Sequence, residues 1–186
     1  LIALGYWLMG VPLAGSWIAA GLAALAGTWM LAGVTNRRWA VFGGLLVALH
    51  PAMQTTWSFS LAGGWAPAAF PMLVLGALFR MRRRFNGRDA VILGIGIAGL
   101  ALSRPFEGFI FAASSCVLLY YQQVLRALAL SGLAEDLPKR TYRCFLPRDT
   151  IKTAGVAGIP VAIALLCIGL QNRATTGSYL SMPYQV

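Results

Sequence analysis

Ser103-Arg104-Pro105-Phe106-Glu107-Gly108 is a short charged insert between two long apolar runs. Ala90 to Leu102 ahead of it and Phe109 to Tyr121 behind it carry no charge at all. A charge at the centre of a membrane-spanning helix costs roughly 2.5 to 3.5 kcal/mol on insertion scales. Arg104 and Glu107 are therefore expected where the chain leaves an apolar layer and turns back, at a membrane face or in a polar cavity. Pro105 suits the first position of a helix, where its missing N–H is not needed, and Glu107 complements the positive end of the helix dipole. The insert then reads in one of two ways. It is a plain helix start in which Arg104 pairs with Glu107 or a lipid phosphate, or it is a place where an anionic head group is bound.

Composition extends this reading outward. The 186 residues are 59% hydrophobic and only 11% charged, with a mean hydropathy of +0.72, which is outside the range of soluble domains. The expected fold class is all-α, a polytopic helical membrane protein with about six transmembrane helices plus the end of a preceding one. The chain opens inside an apolar run at Leu1 and stops at Val186 without an ending signal, so a fragment of a longer protein is expected. Leu1 to Met9 lacks the basic flank and small-residue cleavage site of a signal peptide. The 15 Lys and Arg outnumber 5 Asp and Glu, yet they sit in loops between apolar runs, so membrane topology accounts for them and no nucleic-acid partner is expected. Cys116, Cys144 and Cys167 are far apart without metal spacing, and the two in apolar runs read as buried free thiols. No metal or cofactor is expected.

One transmembrane domain over 1–186 divides as follows. Leu1 to Leu8 ends a preceding span, broken at Gly10-Val11-Pro12. The six spans are Ala14–Gly33, Trp39–Met53, Ala66–Phe79, Ala90–Leu102, Phe106–Gln123 with an amphipathic extension to Leu133, and Thr153–Leu170. Asp89 is expected to cap the fourth. Residues 134–152 form a cytoplasmic loop and 171–186 an extracytoplasmic segment. Thirteen of the basic residues fall on one side, in Arg37 and Arg38, the cluster Arg80, Arg82, Arg83, Arg84 and Arg88, Arg126, and the 134–152 loop. Only Arg104 and Arg173 fall on the other. The positive-inside rule puts the thirteen in the cytoplasm of a bacterial inner membrane protein. The polar and aromatic stretches 54–65, 103–108 and 171–186 then share the outer face.

Other signals have plain explanations. Gly94-Ile95-Gly96-Ile97-Ala98-Gly99 matches a dinucleotide fingerprint by letter, but it lies inside an apolar span and lacks the required strand. Close helix packing through small residues accounts for it. His50, the only histidine, reads as a polar contact at a helix end. No pair of carboxylates, Ser-His-Asp set or Cys-His cluster can be assembled, so the catalytic residue is unknown.

Taken in order, Gly63-Gly64, Arg88-Asp89-Ala90, Ser103-Arg104-Pro105-Phe106-Glu107-Gly108, Asn172, Thr176-Gly177 and Met182-Pro183-Tyr184 carry a resemblance over nearly the whole chain. The chain resembles uncharacterised bacterial members of the GT-C-type membrane glycosyltransferases, the class of the protein mannosyltransferases and aminoarabinose transferases. That resemblance implies transfer of a sugar from a polyprenyl-phosphate donor on the extracytoplasmic face. It implies a catalytic Asp or Glu upstream of Leu1, Arg104 and Arg173 on the donor phosphate, and Glu107 orienting Arg104. Trp57, Trp65, Tyr179 and Tyr184 would line the sugar or lipid groove. Expected partners are the lipid-linked donor and membrane lipids. Phe59, Leu61, Ala62, Gln171 and Ala174 stand where the family pattern is more polar. They support a second expectation, a non-catalytic helical subunit packed against other membrane subunits of a respiratory or photosynthetic complex.

Overall fold

The computed structural model describes residues 2–51, 66–81, 86–130 and 147–179. Among these residues the chain is all-helical: α1 (Ile2–Met9), α2 (Leu13–Leu31), α3 (Arg37–Ala48), α4 (Ala66–Met81), α5 (Gly87–Ser103), α6 (Pro105–Leu130) and α7 (Pro147–Thr176). Two of these helices contain stretches long and apolar enough to cross a membrane, Leu13–Leu31 and Ile151–Thr176. Six were expected from the apolar runs.

The shortfall has local causes. Asn36 starts α3 by accepting a hydrogen bond from the Trp39 amide at 3.1 Å. The helix stops at Ala48, because His50 precedes Pro51 and proline disfavours helical backbone in the residue before it. Twelve residues span about 18 Å at 1.5 Å per residue, against a hydrocarbon core of about 30 Å. Helix α5, of 17 residues between Asn86 and Arg104, also falls short of the ~20 residues a spanning helix needs. In contrast, α7 extends six residues beyond the apolar run 153–170 at each end.

Helices α4 and α5 form the centre. Val74, Ala77, Leu78 and Met81 of α4 meet Ala90, Leu93 and Leu100 of α5, and Ala157 of α7 closes the cluster. A second cluster joins Ala19, Ala23 and Ala26 of α2 to Ala69 of α4. Helix α3 packs on α2, and α6 folds back on α5. Most of the buried apolar residues are alanines, whereas Trp17, Leu25, Leu46, Leu49, Phe106, Phe109, Leu166 and Leu170 point outward. Small side chains inside and large apolar ones outside reverse the pattern of a soluble core.

The glycines of α5 produce the close packing. A methyl group at Gly94 would lie 2.3 Å from the Ala157 carbonyl oxygen, and one at Gly96 would lie 3.0 Å from that of Phe70. The letter match to a dinucleotide fingerprint is thus a helix-packing surface, as its apolar setting implied. Gly108 gives the α5–α6 turn the same closeness, since a side chain there would meet the backbone of Ala101 at 2.8 Å.

Helix directions follow from these contacts. Gly27 meets Met72 and Gly76 meets Trp29 and Met30, so α2 and α4 run parallel. Gly43 meets Leu31 and Gly44 meets Thr28, so α3 runs antiparallel to α2. Arg37 and Arg38 at the start of α3, Arg80 at the end of α4 and Arg88 at the start of α5 consequently share one end of the bundle. The Arg104–Glu107 turn lies at the opposite end. Arg82, Arg83, Arg84 and most of the 134–152 loop lie outside the described residues.

Candidate functional site

Arg104 occupies the joint between α5 and α6. Its backbone is extended (φ −146°, ψ 84°), and its amide still donates to the Leu100 carbonyl at 2.6 Å. Pro105 then opens α6, and Gly108 N–H closes the first turn on the Arg104 carbonyl at 2.9 Å. Three residues along, Glu107 accepts from Arg104 Nη1 at 2.6 Å. The two side chains are 46% and 42% exposed. A pair this open contributes little to stability, of order 1 kcal/mol or less, but it holds the guanidinium at the helix start.

Arg173 lies in the last turn of α7, in a capped end built from its own neighbours. Gly177, at φ 77°, takes the left-handed conformation that glycine tolerates, and its N–H returns to the Arg173 carbonyl at 3.0 Å. The turn brings Tyr179 back over the helix. Asn172, buried, donates through Nδ2 to the Tyr179 carbonyl at 3.2 Å. Arg173 Nη1 donates to the Tyr179 hydroxyl, with the guanidinium 4.9 Å from the ring centroid. The expected pair of Arg104 with Glu107 is thus assembled, and Arg173 meets Tyr179, a pairing the sequence did not suggest. Among the described residues no hydrogen bond or ion pair joins one to the other. Trp57, Trp65 and Tyr184 lie outside the described residues.

Sequence reading gave the arginines at the other end no role beyond orientation, and there Arg80 is engaged differently. It donates through Nη2 to the Trp29 carbonyl at 2.5 Å and through Nη1 to the Gly76 carbonyl at 3.2 Å. Its guanidinium lies 3.9 Å from the Trp29 ring centroid. The signal was Arg80 in the last turn of an apolar helix, four residues after Gly76, a spacing that aims the side chain back along its own helix.

Helix α5 is capped by Asn86, whose side chain accepts from the Arg88 amide at 3.1 Å, rather than by Asp89. Asn86 adopts the extended backbone that a cap requires (φ −140°, ψ 125°). Asp89 sits inside the first turn, one residue outside the apolar run, and is only 8% exposed. Burial raises its carboxyl above the usual range, opposed by the Arg80 charge and the Asn86 hydrogen bond.

Among the described residues the remaining groups form no reaction centre. His50 is exposed beyond the end of α3. Cys116 and Cys167 are free and exposed on helix surfaces, not buried as the apolar runs suggested, because α6 and α7 turn those faces outward. Among the described residues no three metal-capable side chains gather. A small apolar groove lies between α4 and α6, floored by Val74, Leu78, Phe111 and Ser115.

No family model, curated protein or solved structure matches this chain.

Proposed function

We propose that this chain is the membrane-embedded helical part of a GT-C-like glycosyltransferase that takes its sugar from a polyprenyl-phosphate donor on the extracytoplasmic face. The observation that carries membrane residence is the inverted packing, with alanine and glycine at the contacts and leucine, tryptophan and phenylalanine outside. Water would penalise that surface at about 25 cal/mol per Å², whereas lipid tails accept it. Bacterial inner-membrane placement with several crossings rests on the same pattern and on the grouping of Arg37, Arg38, Arg80 and Arg88 at one end. Tilted and locally thinned bilayers accommodate apolar helices shorter than the average core, at a modest cost.

The assignment to sugar transfer rests on the sequence resemblance. What supports it is that Glu107 holds Arg104, and Tyr179 holds Arg173, where both guanidiniums remain exposed. Charge-assisted bonds from arginine suit a phosphate. The test is transfer from a polyprenyl-phosphate sugar by membranes containing the full-length protein. Arg104→Gln is expected to abolish transfer while leaving the protein folded, and unchanged turnover would remove Arg104 from the donor site.

One observation favours a second reading. Glu107 already neutralises Arg104, as expected of a helix start with no ligand to bind. A non-catalytic subunit of a larger membrane complex would then show no transfer in any variant and would co-purify with other membrane chains.

A further inference from the structure

The outward face of α3 has an arrangement that the transferase reading leaves unused. Arg38 heads an exposed stripe at helical spacing, through Phe42 and Leu45 to Leu49, while Arg37 flanks it and Trp39 stands beside it. Trp39 is 63% exposed and meets Phe42 edge-on at 5.9 Å between ring centroids. The buried side of the same helix, through Ala40 and Gly44, is given to α2. Among the described residues neither Arg37 nor Arg38 has an ion-pair partner, whereas Arg80 at the same end is held by Trp29. A two-arginine head therefore continues without interruption into an apolar, aromatic face that no described helix covers.

We propose that this face is a docking site for one anionic phospholipid, its phosphate on Arg37 and Arg38 and its acyl chains along Phe42, Leu45 and Leu49. The choice of occupant rests on charge complementarity. A partner helix would bury two unpaired guanidiniums at its end, which is costly unless acids meet them. A zwitterionic lipid would cancel much of the attraction with its own cation. An anionic lipid supplies net negative charge at one end and hydrocarbon at the other, in the same order as the helix. Trp39 lies one residue beyond the arginines, at the depth where indole rings favour the headgroup boundary. The short length of α3 adds to the fit, because about 18 Å of helix cannot hold its charged end clear of the headgroups.

The inference rests on the membrane reading but not on sugar transfer. The test is native mass spectrometry of the full-length protein from nanodiscs of equimolar phosphatidylglycerol and phosphatidylcholine, counting each lipid retained. The wild-type protein should retain phosphatidylglycerol preferentially. Arg37→Gln and Arg38→Gln should each lower that preference about fivefold, from the usual worth of one basic residue at an anionic surface. The double variant with lysine at both positions should keep most of it. Helicity by circular dichroism checks that the variants are folded. An unchanged preference in the Arg37→Gln, Arg38→Gln double variant overturns the site. Loss of preference on Arg88→Gln alone also overturns it, by moving the lipid to α5. A protein that enters no nanodisc would instead refute membrane residence.

Discussion

The Arg80 guanidinium carbon lies 3.9 Å from the Trp29 ring centroid while the same group donates to the Trp29 carbonyl at 2.5 Å. One side chain thereby fastens the last turn of α4 to the last turn of α2. That fastening matters because it brings the two C-terminal ends together and, with them, Arg37 and Arg38 after α2 and Arg88 after α4. The positive end of the bundle is thus a consequence of packing as well as of charge count.

A cation over an indole contributes about 0.5 to 2 kcal/mol, more as water is excluded. Trp29→Leu should therefore lower thermal stability in detergent, and Trp29→Phe should lower it less, because a weaker ring remains. Arg80→Lys should cost nearly as much as Trp29→Leu, since an ammonium cannot both stack and reach two carbonyls. Stability equal to the wild type in all three variants would show that the stacked contact contributes nothing.

The small residues of α5 and α7 offer an internal comparison. Gly94→Val would push two methyl groups into the Ala157 backbone, so α5 and α7 must separate and stability should fall by at least ~1–3 kcal/mol. Gly155→Val places its side chain where nothing lies within 4 Å, and β-branching costs only a few tenths of a kcal/mol in a helix. Unfolding in denaturant should rank Gly94→Val far below Gly155→Val. The reverse order would mean that α7 packs on α5 through another face.

Asp89 predicts a pH dependence whose sign is set by burial. Because its carboxyl is raised in the folded chain, its contribution is fully present below the ordinary carboxylate value of 3.8 and is lost as pH rises through the higher folded value. Wild-type stability should therefore decline relative to Asp89→Asn as pH is raised from 4 upward. If attraction to Arg80 outweighed desolvation, the difference would grow in favour of the wild type instead, and thermal melts across that range distinguish the two.

Much of the architecture could be read from residue order. Pro105 and Glu107 announced the start of α6, and the structure begins that helix at Pro105. The glycines 94, 96 and 99 announced a packing face because no strand precedes them. Lengths were less legible. Apolar composition continues past Ala48 and cannot show that Pro51 ends α3 early, and it cannot show that α7 continues through the polar residues Gln171 to Thr176. Asp89 stands where a capping acid is expected, but the extended backbone at Asn86 gives that role to a neighbour.

By itself, the sequence determined the class of element and the separation of charge from hydrocarbon, because both depend on transfer free energies that each segment carries alone. Which residues meet was decided only in three dimensions. Arg80 finds Trp29 51 positions away, and Gly94 finds Ala157, because parallel and antiparallel helices bring them level. Residue spacing within one helix cannot encode the register of another. The pairing of Arg104 with Glu107 lies between the two cases, permitted by a three-residue interval and made real by the turn at Pro105.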